Sequence, residues 1–115
     1  MPRLEDFTLK IKTGERGLGY TPKYQINGFS LEFDSIDGGT GAGETLTVRG
    51  EPQSFPHTLL LEGPRDGEAW DIEEIEAEYT VFNEEPYTVR LGAVHLGETD
   101  DLNIWYERPP TVIDV

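Results

Sequence analysis

The sequence predicts an all-β protein: a single domain over residues 1–115, folded as an antiparallel β-sandwich of about eight strands, with a partly open barrel as the alternative. Three observations carry this prediction. Apolar and polar residues alternate at period two in several separate runs, as in strands with one buried face. Thirteen Gly and eight Pro are spread along the 115 residues and not gathered in a repeat, which reads as punctuation between short strands. No segment keeps a helical period to its end.

The elements follow in order. Phe7, Leu9 and Ile11 alternate with Thr8, Lys10 and Lys12 in a first strand that Thr13-Gly14-Glu15 stops. The run "YQINGFSLEF" holds two strands around Asn27-Gly28, a dipeptide suited to a tight hairpin, with Phe29, Leu31 and Phe33 on one face. A strand is expected around Leu46 to Val48, then a Pro-flanked surface connection over 51–57. "TLLLE" is apolar on both sides and suits a central strand.

Residues 72–82 are ambiguous by spacing, since Ile72, Ile75 and Tyr79 fit a helix. However, Ile75, Ala77, Tyr79 and Val81 alternate with Glu74, Glu76, Glu78 and Thr80, and the run ends in Thr-Val-Phe, so a strand is preferred. "NEEP" turns it into a second strand carrying Tyr87, Val89 and Leu91, a long hairpin whose wet face lets Glu and Arg meet. Further strands are expected over 93–96 and 102–106. The terminal "TVIDV" is β-prone and suits pairing within the sheet or strand addition to a partner.

Composition narrows the function classes. The 23 acidic residues against 9 basic ones give a formal net charge of -14, so a nucleic-acid partner is not expected. The acid excess fits solubility, adaptation to high salt or divalent cations, or a surface complementary to a basic partner. There is no cysteine, which removes disulfides, thiolate metal sites and thiol catalysis. No window approaches the roughly 18 apolar residues of a membrane span, so no transmembrane segment is expected. The charged start lacks an apolar signal core, which makes a cytoplasmic location the default; a processed exported protein would look the same.

The stretch "DGGTGAGETLTV" looks at first like a phosphate-binding loop. Glu44 occupies the lysine position of that template and a β-branched strand follows where a helix is needed, so nucleotide binding is excluded. The same carboxylates suit a hard cation, and Ca²⁺ is the candidate cofactor. Asp34, Asp37 and Glu44 lie in one acid-rich loop and Asp66, Glu68 and Asp71 in a second, and these six are the candidate metal ligands. Glu98, Asp100 and Asp101 form a third such loop. None follows an EF-hand pattern, and solvated turn residues are the competing account.

No catalytic constellation emerges. His57 and His95, the general acid/base candidates, are far apart, and Ser30, Ser35 and Ser54 sit in no nucleophile elbow. The aromatics offer contacts instead. Trp105 and Tyr106 fall on opposite faces of one strand, and with Tyr20 they are the candidate ligand or partner contacts.

The segment "HTLLLEGPRDGEAWDIEEIEAEY" resembles the second half of a PLAT domain, the lipoxygenase-homology β-sandwich, at Leu59, Leu61, Asp66, Gly67, Trp70, Ile72 and Ile75. "FTLKIKTGERGLG" is similar to that family's first strand and its Thr13-Gly14 turn. The Gly-Thr of that family's second strand is found only at Gly39-Thr40, and the C-terminal part matches nothing in the pattern. The resemblance implies a module docking on membranes or proteins, often with Ca²⁺ in loops at one end. The expected function is therefore a non-enzymatic binding module, Ca²⁺-assisted or not, that meets a protein, lipid or glycan through its loops. Two alternatives stand beside it: a self-assembling structural protein that uses edge strands and the C-terminal tail, and an acidic inhibitor or immunity-type protein facing a basic partner.

Overall fold

A computed structural model of the chain describes residues 3–64, 69–97 and 100–105. Among these residues there are strands and no helix: β1 Leu4–Thr13, β2 Tyr24–Ile26, β3 Phe29–Leu31, β4 Ser35–Gly38, β5 Thr45–Gly50, β6 Leu59–Leu61, β7 Trp70–Val81, β8 Tyr87–Leu96 and β9 Leu102–Asn103. They form two antiparallel sheets, one ordered β4-β5-β1-β7-β8 and the other β3-β2-β6-β9. Neither sheet closes on itself, so the molecule is a sandwich and not a closed barrel.

The period-two runs place the core. Leu9 and Ile11 of β1 lie opposite Val48 and Leu46 of β5 on one side and Ala77 and Ile75 of β7 on the other. All six are buried, and from the second sheet Tyr24, Ile26, Leu59 and Leu61 meet them. Acids over 72–82 form a strand because every second residue faces this core, which a helix would split between faces. The β7–β8 ladder slips between Ile72 and Ile75, where Glu73 and Glu74 follow each other on the exposed side.

Buried side-chain hydrogen bonds join distant segments. The Trp70 indole N–H donates to Thr13 Oγ1 at 3.0 Å, and the Tyr79 hydroxyl donates to the Ile104 carbonyl. Tyr79 also touches Tyr87 and Trp105, at ring-centroid distances of 5.2 and 5.4 Å, which closes the β8/β9 side of the sandwich with aromatic rings.

Some boundaries differ from the expected pattern: of the strand expected over 102–106 only Leu102–Asn103 pairs, and Trp105 lies beyond it. Residues 35–38, inside the acid-rich loop expected around Asp34, Asp37 and Glu44, form the edge strand β4, and residues 93–96 are the end of the ten-residue β8 and not a separate strand. Gly92, at φ 74° beside the β7 slip, lets β8 pass through this irregularity without ending.

Candidate functional site

The glycine-rich segment is a clasp. Gly39 N–H donates to the Thr45 carbonyl at 3.4 Å, Gly43 N–H to those of Thr13 and Gly14 at 3.1 Å, and Glu44 N–H to that of Gly41 at 3.0 Å. Glu44 Oε1 accepts the Gly41 N–H at 3.1 Å. Amides that would cradle a phosphate are thus engaged inside the loop. Thr40 is buried, its hydroxyl donating to the carbonyls of Leu18 and Tyr20. These hydrogen bonds tie the glycine-rich segment to Thr13, Gly14, Leu18 and Tyr20.

The candidate metal ligands are dispersed. Asp34 Oδ2 accepts the Glu51 N–H at 2.7 Å, Glu44 serves its own turn, and Asp71 pairs with His95 Nδ1 across β7 and β8. Asp37 is exposed on β4. Strands β5 and β1 lie between β4 and β7, and Asp37 falls in register with Glu76, five residues along β7 from Asp71, which keeps Asp37 and Asp71 more than about 15 Å apart at the usual strand spacing. Asp66 and Glu68 lie outside the described residues. In the third acidic loop, Asp100 accepts the Gly97 N–H and Asp101 that of Gly63. Among the described residues no three His, Asp or Glu side chains are gathered for a metal ion.

The contact candidates divide similarly. Trp105 is half-buried against Tyr79, so its ring closes the sandwich. Tyr20 is exposed, with its hydroxyl 3.4 Å from the Gly63 carbonyl. Tyr106 lies outside the described residues. Of the histidines, His57 is exposed and gives its backbone N–H to Asn27 Oδ1, while Ser54 is held by a backbone bridge to Leu4. The positions carrying the PLAT resemblance that are described, Leu59, Leu61, Trp70, Ile72 and Ile75, are all core residues, whose work here is packing.

The outer face of the five-stranded sheet carries a shallow trough of about 290 Å³ between Lys10, Lys12, Thr45, Glu74 and Glu76. Its charges are largely matched within the sheet. Arg90 bonds Glu76 at 2.8 Å, Lys10 lies directly opposite Glu76, and Lys12 reaches Glu73 at 3.6 Å.

The opposite situation holds at the β3/β4 side. Ile36 of β4 is the direct partner of buried Val48, and Phe29 and Leu31 of β3 are the direct partners of buried Ile26 and Tyr24. In antiparallel pairs such partners share a face. All three therefore belong to the inner, core-forming faces, yet Phe29 is 71% exposed, Ile36 51% and Leu31 40%. Here the sandwich stands open along one edge. Beside β4 a cleft of about 170 Å³ is lined by Thr21, Pro22, Lys23, Glu32, Phe33 and Ile36.

Beneath the opening, Phe7, Tyr24 and Phe33 pack ring to ring, with centroids 5.0 Å apart for Phe7–Tyr24 and for Tyr24–Phe33. Gly50 leaves room for them, because a Cβ there would stand 2.8 Å from Phe7 and 3.0 Å from Tyr24. Burial, and then the nearby Asp34 and Glu51 carboxylates, push the Tyr24 phenol up to about 12. On the outer side, Arg49 ties Asp6 at 2.8 Å and Glu51 at 3.2 Å, and the hydrogen bond to Asp6 is the main reason its guanidinium holds its proton more firmly than usual.

This opening was not readable from the sequence. Phe29 and Leu31 share one face of β3 and are both exposed, whereas Phe33, beyond the end of the strand, is buried. Whether an alternating residue lies over the core or past its end depends on how far the facing sheet extends. No helix among the described residues is long and apolar enough to cross a membrane. No protein-family model, curated protein or solved structure matches the chain.

Proposed function

We propose that this chain is a non-catalytic interaction module that meets a protein partner through the open β3/β4 edge of its sandwich. The observation supporting this reading is the exposure of Phe29, Leu31 and Ile36, three side chains on core-forming faces. Apolar side chains left exposed in this way mark interaction sites, and fully covering one of them is worth about 1.5–3 kcal/mol. The edge strands beside them add unpaired backbone groups. A bilayer suits the surface less well, since anionic lipids and a chain of formal net charge -14 repel each other.

The test is a selection of binders from a random peptide display library, each binder being mapped by backbone amide shifts. Binders are expected to perturb β3 and β4. The combined Phe29→Ser, Leu31→Ser and Ile36→Ser variant is expected to lose them while keeping a dispersed amide spectrum. Binders that map to the Lys10–Glu76 trough or the β8/β9 side, or that hold equally well to the variant, would overturn the reading.

A further inference from the structure

Resting on that reading, we infer that the partner docks as an added β-strand along β4, and that this strand alternates apolar with basic residues. Two rows of directly opposed residues cross the five-stranded sheet and end at β4. The inward row runs Val89, Ala77, Leu9, Val48, Ile36, and the outward row runs Arg90, Glu76, Lys10, Thr47, Asp37. The inward row ends on an exposed apolar side chain. The outward row goes cation, anion, cation, hydroxyl, and ends on an exposed carboxylate.

Direct cross-strand neighbours on one face stabilise a pair when they are apolar together or oppositely charged, and destabilise it when like-charged. The next strand therefore has to set an apolar residue against Ile36 and a Lys or Arg against Asp37. Those are adjacent positions, and the strand period of two extends them into an alternating apolar and basic segment. Among the described residues β4 is the terminal strand of its sheet, with all four of its residues exposed, and its outer edge offers backbone groups to an added strand. The Pro22–Phe33–Ile36 cleft lies on the inward side, where it can seat one apolar side chain of the added strand.

Charge also argues against a second copy of this chain, because two edges ending on Asp37 would meet with like sign and each copy carries a formal -14. The edges at β3 and β8 are less suited. Ser30, on the outward side of β3, already donates to Glu62, and the outward row at β8 ends on Arg90, which Glu76 neutralises. An edge carboxylate also guards a sheet against aggregation. A guard alone would show no preference for an alternating basic partner over a block of the same composition.

The experiment uses the full chain, isotope-labelled, titrated with three short capped peptides: alternating lysine–valine, alternating glutamate–valine, and a block peptide of the lysine–valine composition. Expected results are exchange protection and amide shifts concentrated over 35–38 with the alternating basic peptide, binding at least about tenfold weaker for the other two, and weakening by added salt. In Asp37→Lys the preference between basic and acidic peptides is expected to reverse; Asp37 is exposed, and an unchanged amide dispersion verifies the fold. Equal affinity for alternating and block peptides would overturn strand addition, and so would absence of protection over 35–38. A peptide that perturbs Phe29 and Leu31 but leaves the β4 amides unprotected would overturn strand addition and keep the open-edge reading. Peptides and library binders that all avoid both strands would overturn both.

Discussion

Ile36 and Val48 are direct antiparallel partners on the same face of one sheet, yet Val48 is 1% exposed and Ile36 51%. The core ends between them. The same substitution should therefore have unequal costs. Val48→Ser removes buried methyls and buries a hydroxyl, which is expected to cost about 2–4 kcal/mol. Ile36→Ser is expected to cost about 1 kcal/mol or less. Urea unfolding of the two variants measures the difference, and similar costs would mean that the edge is covered within the chain.

Thr13 is fully buried and its hydroxyl accepts the Trp70 indole proton. Thr13→Val keeps the shape and removes the acceptor, leaving a buried donor unsatisfied. The expected loss is about 1–3 kcal/mol, with Thr13→Ser recovering most of it. Equal losses for both variants would assign the site to packing alone.

The clasp of the glycine-rich loop gives a matched pair of tests. A Cβ on Gly17 would stand 1.8 Å from the Thr40 carbonyl oxygen, whereas one on Gly19 meets nothing within 4 Å. Gly17→Ala has to displace backbone and is expected to destabilise by about 1–3 kcal/mol. Gly19→Ala is expected to be neutral or to stabilise by up to about 1 kcal/mol through the unfolded chain. Thermal unfolding of both variants decides, and a harmless Gly17→Ala would show that the loop does not depend on this contact.

Tyr24 is buried below the open edge, and its phenol is pushed from its ordinary value of 10.0 up to about 12, chiefly by burial. The folded chain thus keeps this proton more firmly than the unfolded one. The stability that Tyr24 contributes is full below pH 10 and falls as the pH rises from there through about 12. Tyrosinate absorbance of the native protein is expected to contain a late-titrating component that Tyr24→Phe removes. In Asp34→Asn that component should titrate earlier, because one of the carboxylates raising it is gone.

The described carboxylates bear on calcium as well. Asp34, Glu44 and Asp71 are each occupied by a partner in the chain, and Asp37 is exposed on β4. Calcium and magnesium at matched ionic strength are therefore expected to raise the melting temperature equally, through screening of the acidic surface. A calcium-selective rise of several degrees over EDTA would establish a specific site.

The sequence by itself determined the class of fold and most of the core. Leu9, Ile11, Leu46, Val48, Ile75, Ala77 and Tyr79 are legible because a strand with one wet face writes its burial as alternation, and the meeting of Glu76 with Arg90 follows from the same register logic. The turn at Asn27-Gly28 was legible from backbone chemistry, and both residues adopt positive φ. Only the tertiary structure decided which alternating residues lie beyond the core. Phe29 and Ile36 have the local pattern of buried residues, and their exposure depends on the width of the opposite sheet, a long-range property that no local period encodes. The same holds for β4 itself, whose Ser-Ile-Asp-Gly is too short to declare a strand and becomes one because β5 offers it an edge. The dispersal of the acids has the same origin: loops that look alike in composition are separated in space by the strand order.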